Sequence, residues 1–105
     1  MAFTNLNQCY SFSCSANSTT AIKLSSFSCS EVIIVNPTSN AAVLLVYDVN
    51  TTDNSRAFGI PAGDTFTMKG ITNSADLSAK FLTAPTGGAI YCRTQYYTHS
   101  TQSYG

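Results

Sequence analysis

The chain has 105 residues, of which only 10% are charged, and its five basic and five acidic side chains cancel. An average soluble domain carries about 25% charged residues, so the polar surface here comes from serine, threonine and asparagine, which fill 36 positions. Five scattered cations cannot neutralise a nucleic-acid backbone or hold an anionic membrane surface, so neither partner is expected. A chain of this length forms one domain, and its residue types favour strands and turns over helices.

The first 30 residues are rich in serine and alternate loosely between apolar and polar positions. Tyr10, Phe12 and Cys14 fall on one face with serines between them, which predicts a strand, and a second strand is predicted over roughly residues 20–28. The segment lacks the charged start and apolar core of a secretory signal peptide. No apolar run approaches the ~20 residues of a membrane-spanning helix.

From residue 31 onward the pattern sharpens, and six further strands are predicted between turn residues. They read EVIIVN, AAVLLVYDVN, RAFGI, DTFTMKG, DLSAKFL and AIYCRTQYYT. Alternation is cleanest in DTFTMKG, where Phe66 and Met68 are predicted to face inward. Together with the two N-terminal strands, this series predicts an all-β fold, a single antiparallel β-sandwich or jelly-roll-like domain of about 7–8 short strands.

Three parts are expected within this one domain, and the strand pattern is clearer in the second than in the first. Residues 1–30 form a serine-rich N-terminal arm with strands, residues 31–97 form the body of the β-sandwich, and residues 98–105 form a C-terminal tail. No linker or charge block is strong enough to split the chain into separate domains.

Two of the predicted strands, at residues 32–35 and 43–47, are apolar on both faces. A strand in a two-layer sandwich normally shows one face to water, so something must cover the second face. A second copy or another protein is favoured, and the N-terminal segment is the alternative. Tyrosines near the C-terminus are also typical of protein interfaces. The candidate interface residues are Ile33, Val35, Leu44, Val46, Tyr96, Tyr97 and Tyr104.

No catalytic, cofactor-binding or metal-binding residue can be nominated. His99 is the only histidine, and no acid or nucleophile is placed to work with it. Cys9, Cys14, Cys29 and Cys92 lack Cys-x-x-Cys spacing, so free thiols packed as small apolar groups are favoured. A disulfide from Cys9 or Cys14 to Cys29 or Cys92 is the alternative, and a metal site is the least favoured interpretation.

The stretch IPAGDTFTM, the GITNSADLSAKF segment and the glycine-containing turn into AIYCRTQYY resemble the C-terminal half of small β-sandwich virion proteins of tailed bacteriophages, among them capsid decoration (cement) proteins. The resemblance covers residues 31–97 and leaves the first 30 residues without a counterpart. It implies a non-enzymatic protein without cofactors that binds the outside of the assembled shell. Its partners would be the major capsid protein or other virion proteins, and it would form a homo-oligomer, with a trimer favoured. It would be made in the host cytoplasm without a signal peptide and end up on the capsid exterior.

Two other functions remain open on the sequence. A tail, neck or fibre component of the virion would have the same composition but far fewer copies per particle. A carbohydrate- or ligand-binding β-module is less favoured, because tryptophan, the usual sugar-stacking side chain, is absent. An enzyme is not expected.

Overall fold

A computed structural model describes residues 3–48 and 57–100, with side chains described for residues 10–48 and 57–96. These ranges contain eight strands in two antiparallel sheets and two single-turn 3-10 helices, and no α-helix. No helix within them is long and apolar enough to cross a membrane. The strands are β1 (Phe3–Ser15), β2 (Ile22–Lys23), β3 (Glu31–Val35), β4 (Leu44–Tyr47), β5 (Phe58–Ile60), β6 (Thr65–Lys69), β7 (Ser78–Phe81) and β8 (Ala89–Ser100).

The order of the strands follows a nested pattern. The first sheet has the order β1-β8-β3-β6 and the second has the order β2-β7-β4-β5. The chain therefore pairs β1 with β8, β2 with β7, β3 with β6 and β4 with β5. This nesting, folded into two four-stranded sheets, is the topology of an eight-stranded jelly roll. The predicted all-β antiparallel sandwich is confirmed.

The core lies between the two sheets and is built from the alternate residues of each strand. In β3, Val32 and Ile34 are buried and the alternate residues Glu31, Ile33 and Val35 are half-exposed, as the two-residue period of a strand requires. Phe66 and Met68 of β6 pack against this core, as the alternation in DTFTMKG predicts. The side chains with no exposure in the core cluster are Val32, Ile34, Leu44, Val46, Ala79, Phe81 and Ile90.

Aromatic pairs bridge the sandwich at both of its open sides. Phe58 of β5 and Phe66 of β6 belong to the edge strands of different sheets, and their ring centroids lie 5.0 Å apart. On the opposite side, Phe27 stacks on Tyr10 with centroids 4.8 Å apart and lies 5.2 Å from Phe12. These separations are in the range of favourable aromatic contacts.

A predicted strand over residues 20–28 is only partly correct. The pairing of β2 ends at Lys23, and the segment after it is held by Ser74 of the loop between β6 and β7. The Phe27 backbone N–H donates to Ser74 Oγ at 3.0 Å, and the Ser74 N–H donates to Phe27 O at 3.0 Å. Ser74 Oγ also donates to Ser25 O. Because Ser74 pairs with the backbone groups of Ser25 and Phe27, this segment needs no partner strand and leaves the sheet. Phe27 then packs against the aromatic side chains of β1.

Two buried asparagines join the loops at the other end of the sandwich. Asn36 donates both side-chain hydrogens, to Ala42 O at 2.9 Å and to Ile60 O at 2.8 Å. Asn40 donates to Asn36 Oδ1 at 3.0 Å and to Ala89 O at 2.7 Å. Buried amides are stable only when paired in this way. The NPTSN segment is therefore more than a turn, because it ties together the loops that follow β3, β5 and β7.

The chain ends form a ribbon that continues beyond the sheet. β3 pairs with β8 no further than Gln95, but β1 and β8 remain paired out to Phe3 and Ser100. At about 3.3 Å per residue this two-stranded extension is roughly 20 Å long. The expected division into arm, body and tail does not follow these strands. Residues 1–30 supply two strands of the sandwich itself, and residues 98–100 belong to β8, while residues 101–105 lie outside the described part.

Candidate protein-binding surface

The outer face of the first sheet carries apolar side chains on two neighbouring strands. Tyr91 of β8 pairs with Val35 of β3, and Arg93 pairs with Ile33, so these four side chains share one face. The alternate residues on β8, Ile90 and Cys92, point into the core. The sheet therefore presents a strip formed by Ile33, Val35 and Tyr91, here called the outer strip.

The outer strip lines an open depression of about 430 Å³. Tyr91 is 53% exposed, and Ile33 and Val35 are half-buried. Arg93 and the exposed Ser11 and Ser13 of β1 complete the lining side chains. Phe12 and Cys92 also line it, but their side chains belong to the core, so they contribute backbone atoms.

Short hydroxyl side chains flank the outer strip on both sides. Ser11 and Ser13 stand beside it on β1, and Thr65 and Thr67 pair with Val35 and Ile33 on β6. These side chains are short and uncharged. Arg93 is therefore the charged group within the lining that a partner packed on the outer strip would desolvate.

In the next row of the same sheet, charges of opposite sign face one another. Glu31 of β3 pairs with Lys69 of β6, and Gln95 of β8 stands on the other side of Glu31. The row has no net charge, so it gives the surface no strong field of either sign. Recognition at this face would therefore depend on shape and apolar contact.

Leu44 and Val46 of β4 are predicted to be interface residues, and the structure corrects this assignment. Both side chains have no exposure and lie in the core between the sheets, so no partner can reach them while the sandwich is closed. Leu45 and Tyr47, on the other face of β4, are also buried within the single chain. The covered second face of this strand therefore needs no partner.

Of the three tyrosines of the candidate interface, Tyr96 has a described side chain. Tyr96 lies in β8 opposite Gln8 and is half-buried. Tyr97 pairs with Leu6 in the ribbon, but its side chain lies outside the described residues, as does the whole of Tyr104. Their roles in an interface stay predictions.

Tyr91 belongs to the outer strip but is not among the interface residues predicted from the sequence. The alternation of AIYCRT carries a signal for it, because Arg93 marks the solvent side and Tyr91 is two positions away on the same face. The residue type alone does not predict whether Tyr91 lies on the surface or in the core, since tyrosines are found in both places.

The cysteines of the described part do not form a chemical site. Cys14, Cys29 and Cys92 are free, and the described residues contain no group of three or more potential metal ligands. Burial, with a smaller contribution from nearby Cys14, raises the pKa of the Cys92 thiol from 9.0 to about 12. Burial and then Asp76 also raise the pKa of Cys29. Protonated thiols are poor nucleophiles, so these two act as packing groups at neutral pH. The side chains of Cys9 and His99 lie outside the described residues.

No family model, no curated protein and no solved structure matches this chain.

Proposed function

We propose that this chain is a non-enzymatic structural protein of a bacteriophage virion, and specifically a capsid decoration protein that binds the outside of the assembled shell. In this proposal the major capsid protein packs against the outer strip of the first sheet. The observation that carries it is the exposed apolar surface of Ile33, Val35 and Tyr91, bordered by hydroxyl side chains.

Three features of the molecule support a role in assembly. The jelly roll is an architecture found in viral capsid proteins, and also in lectins and cupins, so it permits the proposal but does not decide it. The low and balanced charge reduces repulsion when many copies pack closely on a shell. The outer strip lies on paired strands and not on a loop, which lowers the entropy cost of binding.

The mechanism would be the addition of buried area between neighbouring shell subunits. A standard protein interface buries about 1,600 Å², and repetition of such a contact across a shell would raise the barrier to its rupture. Tyr91 would be the anchor, because large, rigid aromatic side chains dominate binding energy when they are desolvated at the centre of an interface.

The direct test is binding of the purified chain to shells that lack it, measured by co-sedimentation. Tyr91→Ser should weaken binding by about thirty-fold, the loss of about 2 kcal/mol that an interface anchor gives. Leu82→Ser is the matched control, because Leu82 is 52% exposed in the loop after β7, outside the depression. Equal binding by both variants and the unmodified chain would contradict the proposed surface.

The copy number per particle separates the decoration protein from other virion parts. Quantitative mass spectrometry of purified particles should find copies in a simple ratio to the major shell protein. A handful of copies would indicate a tail, neck or fibre component, and absence from particles would contradict a virion role altogether.

A carbohydrate-binding module is the second candidate, and the depression itself favours it. Its volume of about 430 Å³ lies within the range of small-ligand sites, and it places a tyrosine ring beside Arg93 and two serines. Glycan binding that is lost in Tyr91→Ser and kept in Leu82→Ser, without shell binding, would favour this function.

A further inference from the structure

The edges of the two sheets differ in how well they are protected against pairing with another strand. In the second sheet the edge strands are β2 with two residues and β5 with three. In the first sheet β6 has five residues and carries Lys69, whereas β1 has 13. Short length and edge lysines are the usual protection of exposed strand edges. Only β1 lacks both.

The sequence of β1 also lacks the other protective residues. FTNLNQCYSFSCS contains no charged residue and no proline. The one irregularity is a change of register between Leu6 and Gln8, so the part from Gln8 to Ser15 pairs with β8 in a single regular register. This part is a regularly paired, neutral edge, the type that pairs readily with another strand.

The direction of the backbone groups on β1 follows from its pairing with β8. Ala16 N–H donates to Gly88 O at 2.9 Å, one step beyond the paired residues Ser15 and Ala89. Tyr10 O accepts from Thr94 Oγ1 at 3.5 Å, which places the Tyr10 carbonyl on the β8 side as well. Because successive residues of an antiparallel strand alternate in direction, the even-numbered residues of the regular part from Gln8 to Ser15 bond to β8.

The odd-numbered residues of this regular part therefore direct their N–H and C=O groups away from the sheet. They include Ser11, Ser13 and Ser15, and these three are exposed. A row of outward donors and acceptors is a template for one more strand.

We propose that this edge pairs antiparallel with the same edge of a second copy of the chain. The two first sheets then become one continuous eight-stranded sheet around a two-fold axis perpendicular to it. A second copy fits because an antiparallel edge is complementary to itself, so each outward N–H meets a C=O of the partner copy. The opposed side chains are small serines, and a neutral edge on a chain of zero net charge brings no like charges together.

The dimer has a consequence for the outer strip, although it does not depend on the proposed function. Pairing within one sheet keeps the two outer faces on the same side. Ser11 and Ser13, which line the depression, then lie next to the dimer contact. Each dimer presents two depressions on one surface and can bind two neighbouring sites at once. This two-fold assembly also differs from the trimer that the sequence resemblance implies.

The first test is the mass of the chain in solution, measured by sedimentation velocity over a range of concentrations. The unmodified chain should reach twice its mass of 11.2 kDa. Ser13→Pro removes one outward N–H without removing a bond to β8 and should weaken the dimer at least ten-fold. Thr67→Pro is the matched control. Asn36 N–H donates to Asp64 O, so the even-numbered residues of β6 bond to β3 and the Thr67 N–H points outward at the opposite edge of the sheet.

A second variant pair covers the case in which proline prevents folding. Ser13→Lys should also weaken the dimer, because it places like charges across the two-fold contact, whereas Thr67→Lys should leave it unchanged. Circular dichroism verifies that each variant retains the fold. An unmodified chain that stays monomeric or forms a trimer, or a dimer that survives both Ser13 variants, would overturn the proposal.

Hydrogen exchange measured by NMR identifies the contact directly. The amides of Phe12 and Cys14 should be protected at every concentration, because they bond to β8. The amides of Ser11, Ser13 and Ser15 should gain protection only as the dimer forms. A dimer in which these three amides still exchange freely must use another surface, and it would overturn the proposal.

Discussion

β3 and β4 are alike in the sequence but have different surroundings in the structure. Both are runs of apolar residues without polar alternation. In β3 the alternate residues Ile33 and Val35 are half-exposed on the outer face, whereas all four residues of β4 are buried. An apolar run therefore predicts two faces with apolar side chains, but not whether the second face is covered by the same chain, as in β4, or left half-exposed, as in β3.

The two strands should therefore respond differently when the same amount of side chain is removed. Leu44→Ala removes a fully buried side chain from the core, and such changes cost about 2–5 kcal/mol of the free energy of unfolding. Ile33→Ala removes the same number of carbon atoms from the half-exposed face and should cost about 1 kcal/mol. Urea denaturation measures both, and similar losses would contradict the distinction between the strands.

The loop between β3 and β4 gives the next largest expected effect. Asn40→Ala removes the acceptor of the Gly88 N–H and leaves Ala89 O and Asn36 Oδ1 without this donor. Loss of a buried hydrogen-bonding group costs roughly 1–3 kcal/mol per group left unsatisfied, so we expect a loss near 3 kcal/mol.

The control for this change is an exposed asparagine in another loop. Asn17 Oδ1 accepts from the Thr19 and Thr20 N–H groups at the surface. Asn17→Ala should cost about 1 kcal/mol or less, because water replaces the lost acceptor. If Asn40→Ala and Asn17→Ala lowered the free energy of unfolding equally in urea denaturation, the Asn36–Asn40 pair would not be the main interaction that holds these loops together.

The smallest expected effect is a pH dependence of the free energy of unfolding, caused by the buried Cys92 thiol on β8 next to β3. Cys92 pairs with Ile34, and its folded-state pKa is raised from 9.0 to about 12. The protonated thiol therefore stabilises the fold fully below pH 9, and this contribution is lost as the pH rises towards 12. At pH 10 the loss is about 1.4 kcal/mol, the value of one pKa unit.

This effect is measured as the difference in alkaline stability between the unmodified chain and Cys92→Ala, both kept reduced. The alanine variant should be less stable at pH 8, and its stability should fall less between pH 8 and pH 10. Parallel curves for the two proteins would show that the thiol does not ionise on unfolding in this range.

The sequence predicts most of the fold because alternation is a local property. The inward positions of Phe66 and Met68 are correct, as is the eight-stranded antiparallel sandwich. The prediction is weakest at β2, where side-chain bonds from Ser74, 47 residues away from Phe27, end the strand early. Such bonds depend on residues that approach one another only in the folded chain.

The all-β class, the scarcity of charge and the two strands without polar alternation are evident from the amino-acid sequence alone. These follow from composition and from a two-residue period that each strand carries within itself. The burial of Leu44 and Val46 in the core, and the position of Ile33, Val35 and Tyr91 on the surface, depend on the tertiary fold. Burial depends on which distant segments stack over a strand, and in this jelly roll the first strand pairs with the last.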